Sequence, residues 1–221
     1  MSISQPAPGV VGPFAALDVP GLLRMRSQTR RDHPFLIWAP FDAPARIWAY
    51  GEFHERVGAL AAGLKVRGVR PGEYLLIHLD NCIEAMLAWF ACVELGAIAV
   101  TTNTRSAPAE MEYFADHCGA MAAISQPAYA ETIAAHCRNL RWIAVISHDA
   151  GAARAQGTAP PRNDRFEALF ADAADRPRHR PAGAVQCAIY LRHHVAPEGS
   201  AVDPRQRAVG RQGQCRASGF A

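Results

Sequence analysis

The stretch His78-Leu79-Asp80-Asn81-Cys82-Ile83-Glu84 puts an imidazole, two carboxylates and a thiol side by side. An imidazole or a carboxylate can move protons, and a thiol next to a base can act as a nucleophile. Each of these residues also has a structural reading. His78 closes the apolar run Leu75-Leu76-Ile77, so it is expected as a satisfied histidine at the end of a buried strand. Asp80 and Asn81 are expected to cap the helix that follows, with Glu84 in its first turn, where the helix dipole favours an anion. No histidine can be placed against Cys82. Elsewhere, His193-His194 has no further ligands at a recognised metal spacing. Arg105 could meet a phosphate but reads as a surface residue. Trp89-Phe90 reads as core, and no glycine-rich dinucleotide motif follows a strand. The sequence therefore assigns no catalytic, cofactor-binding or metal-ligating residue.

The elements that would hold these residues alternate between strand and helix. Leu75 to Leu79 is a short apolar run suited to a buried parallel strand. Met86, Leu87, Phe90 and Val93 recur at helical spacing, Gly96 ends the helix, and Ile98-Ala99-Val100 begins the next strand. The clearest helix precedes this unit. Over Gly51 to Gly68, the residues Phe53, Val57, Leu60, Ala61 and Leu64 form one apolar face. Burying each large member is worth roughly 1.5–3 kcal/mol, so that face must pack on a sheet. Upstream, Val19 to Arg31 is expected as a helix with Leu22, Leu23 and Met25 as its apolar members. Phe35 to Trp38 and Ile47 to Tyr50 are expected as a hairpin. Downstream, helices are expected over Pro108 to His117 and Tyr129 to Cys137, and strands over Ala120 to Ile124 and Trp142 to Ile146. A short helix is expected over Asp164 to Ala171, and a last buried strand over Ala184 to Tyr190. Strands alternating with helices predict an α/β fold with a mainly parallel sheet.

Composition excludes several classes of function. Half of the 221 residues are hydrophobic, enough for a core, and the net charge is +3. Lys65 is the only lysine, and the arginines are scattered along the chain, so no nucleic-acid surface is read. The six cysteines form no C-x-x-C pair and sit among apolar residues, which suits reduced thiols in a cytoplasmic protein. No apolar stretch is long enough to span a bilayer, and the N-terminus does not read as a secretory signal. The expected organisation is a loose N-terminus over 1–17, an α/β region over 18–190, and a tail over 191–221. The tail has no period of either kind and little apolar area to offset its ordering entropy, so it is expected to be disordered.

Four segments carry a family resemblance. Trp48-Ala49-Tyr50-Gly51-Glu52-Phe53 resembles the tyrosine-x-glutamate-leucine entry motif of the adenylate-forming acyl-CoA synthetases. Gly68-Val69-Arg70-Pro71-Gly72-Glu73 resembles their GVxxGD turn. His78-Leu79-Asp80-Asn81-Cys82 with Glu84 resembles the carnitine/crotonobetaine–CoA ligase-like branch, with Ile83 where that branch usually has proline. Leu95-Gly96-Ala97-Ile98-Ala99-Val100 with Asn103 resembles the LGAxxVxxN motif. Order and spacing make the set specific, and it covers about Trp48 to Ile146.

The resemblance implies the N-terminal part of a large layered α/β domain, truncated in this chain. It implies a two-step reaction for the intact enzyme. A carboxylic acid attacks ATP to give an acyl-adenylate and pyrophosphate, and the thiol of CoA then displaces AMP. ATP, Mg and CoA are thus implied for the intact enzyme and none for this chain. The first step needs a loop rich in Ser, Thr and Gly directly after a strand such as Ala184 to Tyr190, to cradle phosphates. Leu191-Arg192-His193-His194-Val195-Ala196-Pro197-Glu198 stands there instead. A reading frame shifted by one base from the codon of Tyr190 permits T-S-G-T-T-S-R-P-K over Tyr190 to Glu198, and V-L-W-T-H-A-N-A-L-W further on. That is the form of the family's phosphate loop, so 191–221 is read as out of frame and the chain as inactive. The other reading is a non-catalytic α/β binding or interaction module. On either reading, a sheet with uncovered edges is expected to make the isolated chain prone to association.

Overall fold

A computed structural model of the chain describes residues 18–149 and 164–171, and the backbone of 187–189. The expectations for 1–17, for the loop 150–163 and for the tail 191–221 lie outside the described residues. Helix α1 spans Val19–Thr29, and strands β1 (Pro34–Trp38) and β2 (Arg46–Ala49) form an antiparallel hairpin. Helix α2 spans Tyr50–Val66, and β3 (Tyr74–His78) follows after two turn glycines. Gly68 and Gly72 sit at φ +87° and +83°, in the left-handed region where a side chain would strain the turn. Then come α3 (Ile83–Leu95), β4 (Ile98–Thr101), α4 (Pro108–Cys118), β5 (Ala122–Ser125), α5 (Pro127–His136) and β6 (Ile143–Val145). A two-residue strand β7 (Asp164–Arg165) runs into a 3-10 turn over Phe166–Leu169, and β8 is Cys187–Ile189.

The main sheet is parallel, with strand order β7-β6-β5-β3-β4-β8. From β3 the chain steps outward to β4, then crosses back over β3 to β5 and continues to β6. The reversal puts the helices before it and those after it on opposite faces. On one face, α1, α2 and α3 pack on Leu75, Ile77, Ala99, Ala122 and Ile124. On the other, α4 and α5 pack on Leu76, Val100, Ala123 and Val145. Alternation along β3 sends Leu75 and Ile77 one way and Leu76 the other, as a strand buried on both sides requires.

The α2 face is buried at every expected position: Phe53, Val57, Leu60, Ala61 and Leu64. Phe53 and Phe90 meet edge-on at 5.2 Å, joining α2 to α3. Three details differ from the sequence reading. Leu22 and Met86 point outward, 37% and 39% exposed, because Pro20, Leu23 and Ser27 form the buried face of α1, and Ile83, Leu87 and Ala91 that of α3. The helix expected over Asp164 to Ala171 is instead a short strand and a 3-10 turn. Phe166 and Leu169 are still buried there as expected. The third difference is the cap of α3. Cys82 occupies the N-cap position without a side-chain hydrogen bond, so neither Asp80 nor Asn81 caps the helix. Both residues lie too early in the chain, and Asp80 is held by other partners.

Candidate functional site

In an open parallel sheet, ligands are usually held beyond the carboxyl ends of the strands, at the point where strand order reverses. Here that point lies between β3 and β5, and the residues at the strand ends there are His78, Asp80, Ser125 and Gln126. The structure brings two of the sequence candidates, His78 and Asp80, to this crevice.

His78 is 2% exposed. Its Nδ1 pairs with Thr102 Oγ1 at 2.7 Å, and its ring meets Tyr129 edge-on at 4.9 Å. Ser125 Oγ donates to the His78 carbonyl at 3.2 Å. Burial pushes the imidazole down to about 4, opposed only in part by the nearby Asp80 carboxylate. His78 is therefore neutral near neutral pH and enclosed by protein. It serves as a pin between β3, β4 and α5, as its place at a strand end suggested.

Asp80 and Gln126 bind each other reciprocally. The Asp80 N–H donates to Gln126 Oε1 at 2.8 Å, and Gln126 Nε2 donates to Asp80 Oδ2 at 3.0 Å. Thr104 Oγ1 donates to Asp80 Oδ1 at 2.6 Å. One carboxylate thus ties together the loops leaving β3, β4 and β5. The sequence reading missed Gln126, Thr102 and Thr104. A signal existed, since each stands just beyond an apolar strand run, level with His78 and Asp80 across the sheet.

A second cluster lies beside the first turn of α3. Glu84 Oε2 is 3.2 Å from His148 Nε2, just beyond β6. Burial alone would raise the Glu84 carboxyl, but His148 beside it outweighs burial and holds it below the usual value. Glu84 in turn raises the His148 imidazole against its own burial. Cys82 is pushed up to about 12, first by burial and then by the charge of Glu84. It is a protonated thiol and no nucleophile. Cys82, Cys92 and Cys137 are buried and Cys118 half-buried. Asn81 and Arg105 are exposed, and Trp89 and Phe90 are half-buried against the α1–α3 core. His193 and His194 lie outside the described residues. Among the described residues, no group of three or more His, Cys, Asp and Glu could hold a metal ion, and no helix is long and apolar enough to cross a membrane.

The family model described as "AMP-binding enzyme" matches residues 23–190, well over half of the chain. The chain belongs to the AMP-binding enzyme family. Among curated relatives of this family member, the crotonobetaine/carnitine–CoA ligase of Proteus mirabilis is 31% identical over 85 residues, 38% of this chain and 16% of the relative. The feruloyl-CoA synthase of an Amycolatopsis species is 37% identical over 86 residues, covering 39% of this chain and 18% of the relative. The crystal structure of coronafacic acid ligase from Pectobacterium brasiliense superposes with a TM-score of 0.65 over 79% of this chain and 33% of that one, at 16% identity. That likeness shows a shared fold. The chain thus matches only a small part of the length of the relatives it resembles. Family membership favours the ligase reading over an independent binding module.

The described strand ends do not fit the ATP and Mg that the family handles. Thr102 and Thr104 already spend their hydroxyls on His78 and Asp80, and the Asp80 N–H is taken by Gln126. The N-terminus of α5 is served by Asp149, and Glu110 folds back onto the Ala107 N–H at the start of α4. The donors named here at the described strand ends are engaged in ties within the protein.

Proposed function

We propose that this chain is the N-terminal part of an acid–CoA ligase of the adenylate-forming kind and is inactive on its own. In the intact enzyme, a carboxylate oxygen attacks the α-phosphorus of ATP and pyrophosphate leaves. The CoA thiol then attacks the acyl carbon and AMP leaves. ATP, Mg and CoA belong to that enzyme, and the working compartment proposed for it is the cytoplasm. The observation that carries the reading is the family match over 23–190, with CoA ligases among the curated relatives at 31% and 37% identity.

Inactivity of this chain rests on the donor set. The donors named at the described strand ends are engaged within the protein, and the sequence after Tyr190 has no phosphate loop in this frame. The proposed organisation keeps 1–17 as a loose lead-in, 18–190 as the α/β part and 191–221 as an out-of-frame tail. The family match stops at residue 190, which supports the last boundary. Two measurements test the proposal. Carboxylate-dependent exchange of pyrophosphate into ATP by the purified chain is expected at background, and exchange above background overturns inactivity. The nucleotide sequence past the codon of Tyr190 is expected to carry the phosphate loop in the shifted frame, and a shifted frame that stops at once overturns the tail assignment.

A further inference from the structure

His148 and Asp149 reach opposite faces of the sheet from one dipeptide. His148, 5% exposed, turns toward the α1–α3 face and meets Glu84 in the first turn of α3 at 3.2 Å. Asp149 turns toward the other face, and its Oδ1 accepts the Ala128 N–H in the first turn of α5 at 2.9 Å. Both contacts sit just beyond β6, where the chain leaves the sheet before returning at β7. We propose that His148-Asp149 is a two-headed clasp that locks the N-termini of α3 and α5 to the exit of β6. The clasp is closed only while His148 is protonated and Glu84 is ionised.

The acidic groups around His148 favour the charged form of the pair. Glu84 Oε2 and His148 Nδ1 are buried, and His148 Nδ1 makes no hydrogen bond. The 3.2 Å contact of His148 Nε2 with Glu84 Oε2 therefore joins a hydrogen bond to the pairing of opposite charges, and removing either charge leaves its partner buried without that counter-charge. Among the described residues, the other ionisable groups acting on the pair are Cys82, Asp149 and Glu167. Cys82 lies against Glu84, and Asp149 and Glu167 of the 3-10 turn both favour the imidazolium. Deprotonating His148 therefore leaves the Glu84 carboxylate buried without the charge that offsets its desolvation. Protonating Glu84 leaves a buried imidazolium whose nearest counter-ion is gone. His148 is raised in the folded chain, so its contribution is complete below the unfolded histidine value and is lost as pH rises through the folded one. Glu84 is lowered, so its contribution is complete above the unfolded carboxylate value and is lost as pH falls through the folded one. The clasp is closed between the two. This inference does not depend on whether the chain activates a carboxylate.

The test is a histidine ring titration by NMR on the full chain, with amide exchange followed in parallel. His148 is expected to titrate above free histidine, and Glu84→Gln to bring that midpoint down. Protection of the Ala128 amide and of the amides of residues 143–149, corrected for intrinsic exchange, is expected to fall several-fold as pH rises through the His148 midpoint. In Glu84→Gln that fall should disappear. A His148 midpoint at or below free histidine, a midpoint indifferent to Glu84→Gln, or protection constant through the titration would each overturn the clasp. Should Glu84→Gln fail to fold, the ring titration and exchange of the unmutated chain still decide.

Discussion

At the scale of single residues, the seven-residue cluster that looked most chemical is structural, and pH exposes it. His78 ordinarily titrates near 6.5 but falls to about 4 in the fold, so the unfolded chain binds the extra proton first. Folding stability should drop by about 3 kcal/mol as pH falls from 6.5 to about 4. Between 6.5 and 4.5 the His148–Glu84 pair is steady, since His148 is complete below the first value and Glu84 above the second. Urea unfolding across that window therefore reports on His78, and His78→Gln should flatten the slope. Gln126 makes a separate prediction. Gln126→Leu strands the Asp80 N–H and one carboxylate oxygen, and should cost about 1–3 kcal/mol in the same measurement. The role of His78 was legible, because a histidine ending an apolar run has few alternatives to being satisfied in place. The role of Asp80 was not. Local preference makes Asp an N-cap, but its partners Gln126 and Thr104 lie just beyond the ends of other strands, and only the sheet order brings them near.

At the scale of elements, periodicity carried most of the fold. The α2 face, the alternation of strands and helices and the buried Met111, Phe114 and Ala115 of α4 all follow from spacing that local sequence displays. Order in the sheet does not. That β8 lies beside β4, and β7 at the far edge, is fixed by long-range pairing that no local pattern encodes. The segment 164–171 shows why the same limit applies to element type. Its apolar residues suggested a helix, yet its form is set by α2. Gly63 lets the Leu169 carbonyl approach so closely that a Cβ would lie 1.4 Å from that oxygen. Ala171 N–H donates to the Ala59 carbonyl at 3.1 Å, Arg67 pairs with Asp164, and Arg56 lies 4.3 Å over the Phe170 ring. Gly63→Ala should therefore release this segment, although Ala is the better helix former by about 1 kcal/mol. The obstructing atom is backbone and cannot rotate away, so overpacking of about 1–3 kcal/mol or more should win. Limited proteolysis is expected to cut 164–171 faster in the variant while helix content by circular dichroism stays unchanged.

At the scale of the whole molecule, the arrangement of strands predicts association. A parallel sheet is normally covered on both faces and protected at its edges. Here both faces carry helices, but among the described residues the outermost strands are β8, three residues long, and β7, two residues long. The hairpin adds a second weakness. Ile37 and Ile47 stand opposite each other in its register and are 63% and 56% exposed, and Phe41 between the strands is 95% exposed. Single exposed apolar residues are ordinary, but three on one hairpin, two of them paired across its strands, concentrate apolar surface on a sheet of two strands among the described residues. The relatives it resembles are several times longer than the stretch that matches, so the chain carries only part of their architecture. The purified chain should therefore form dimers or larger species whose proportion rises with concentration, as measured by light scattering during size-exclusion chromatography. Ile37→Lys with Phe41→Lys should shift that distribution toward monomer without changing the unfolding midpoint, because neither side chain contributes to the buried core. A concentration-independent monomer that unfolds cooperatively would contradict the prediction. Association unchanged in the double variant would move its cause from the hairpin to the edges of the main sheet.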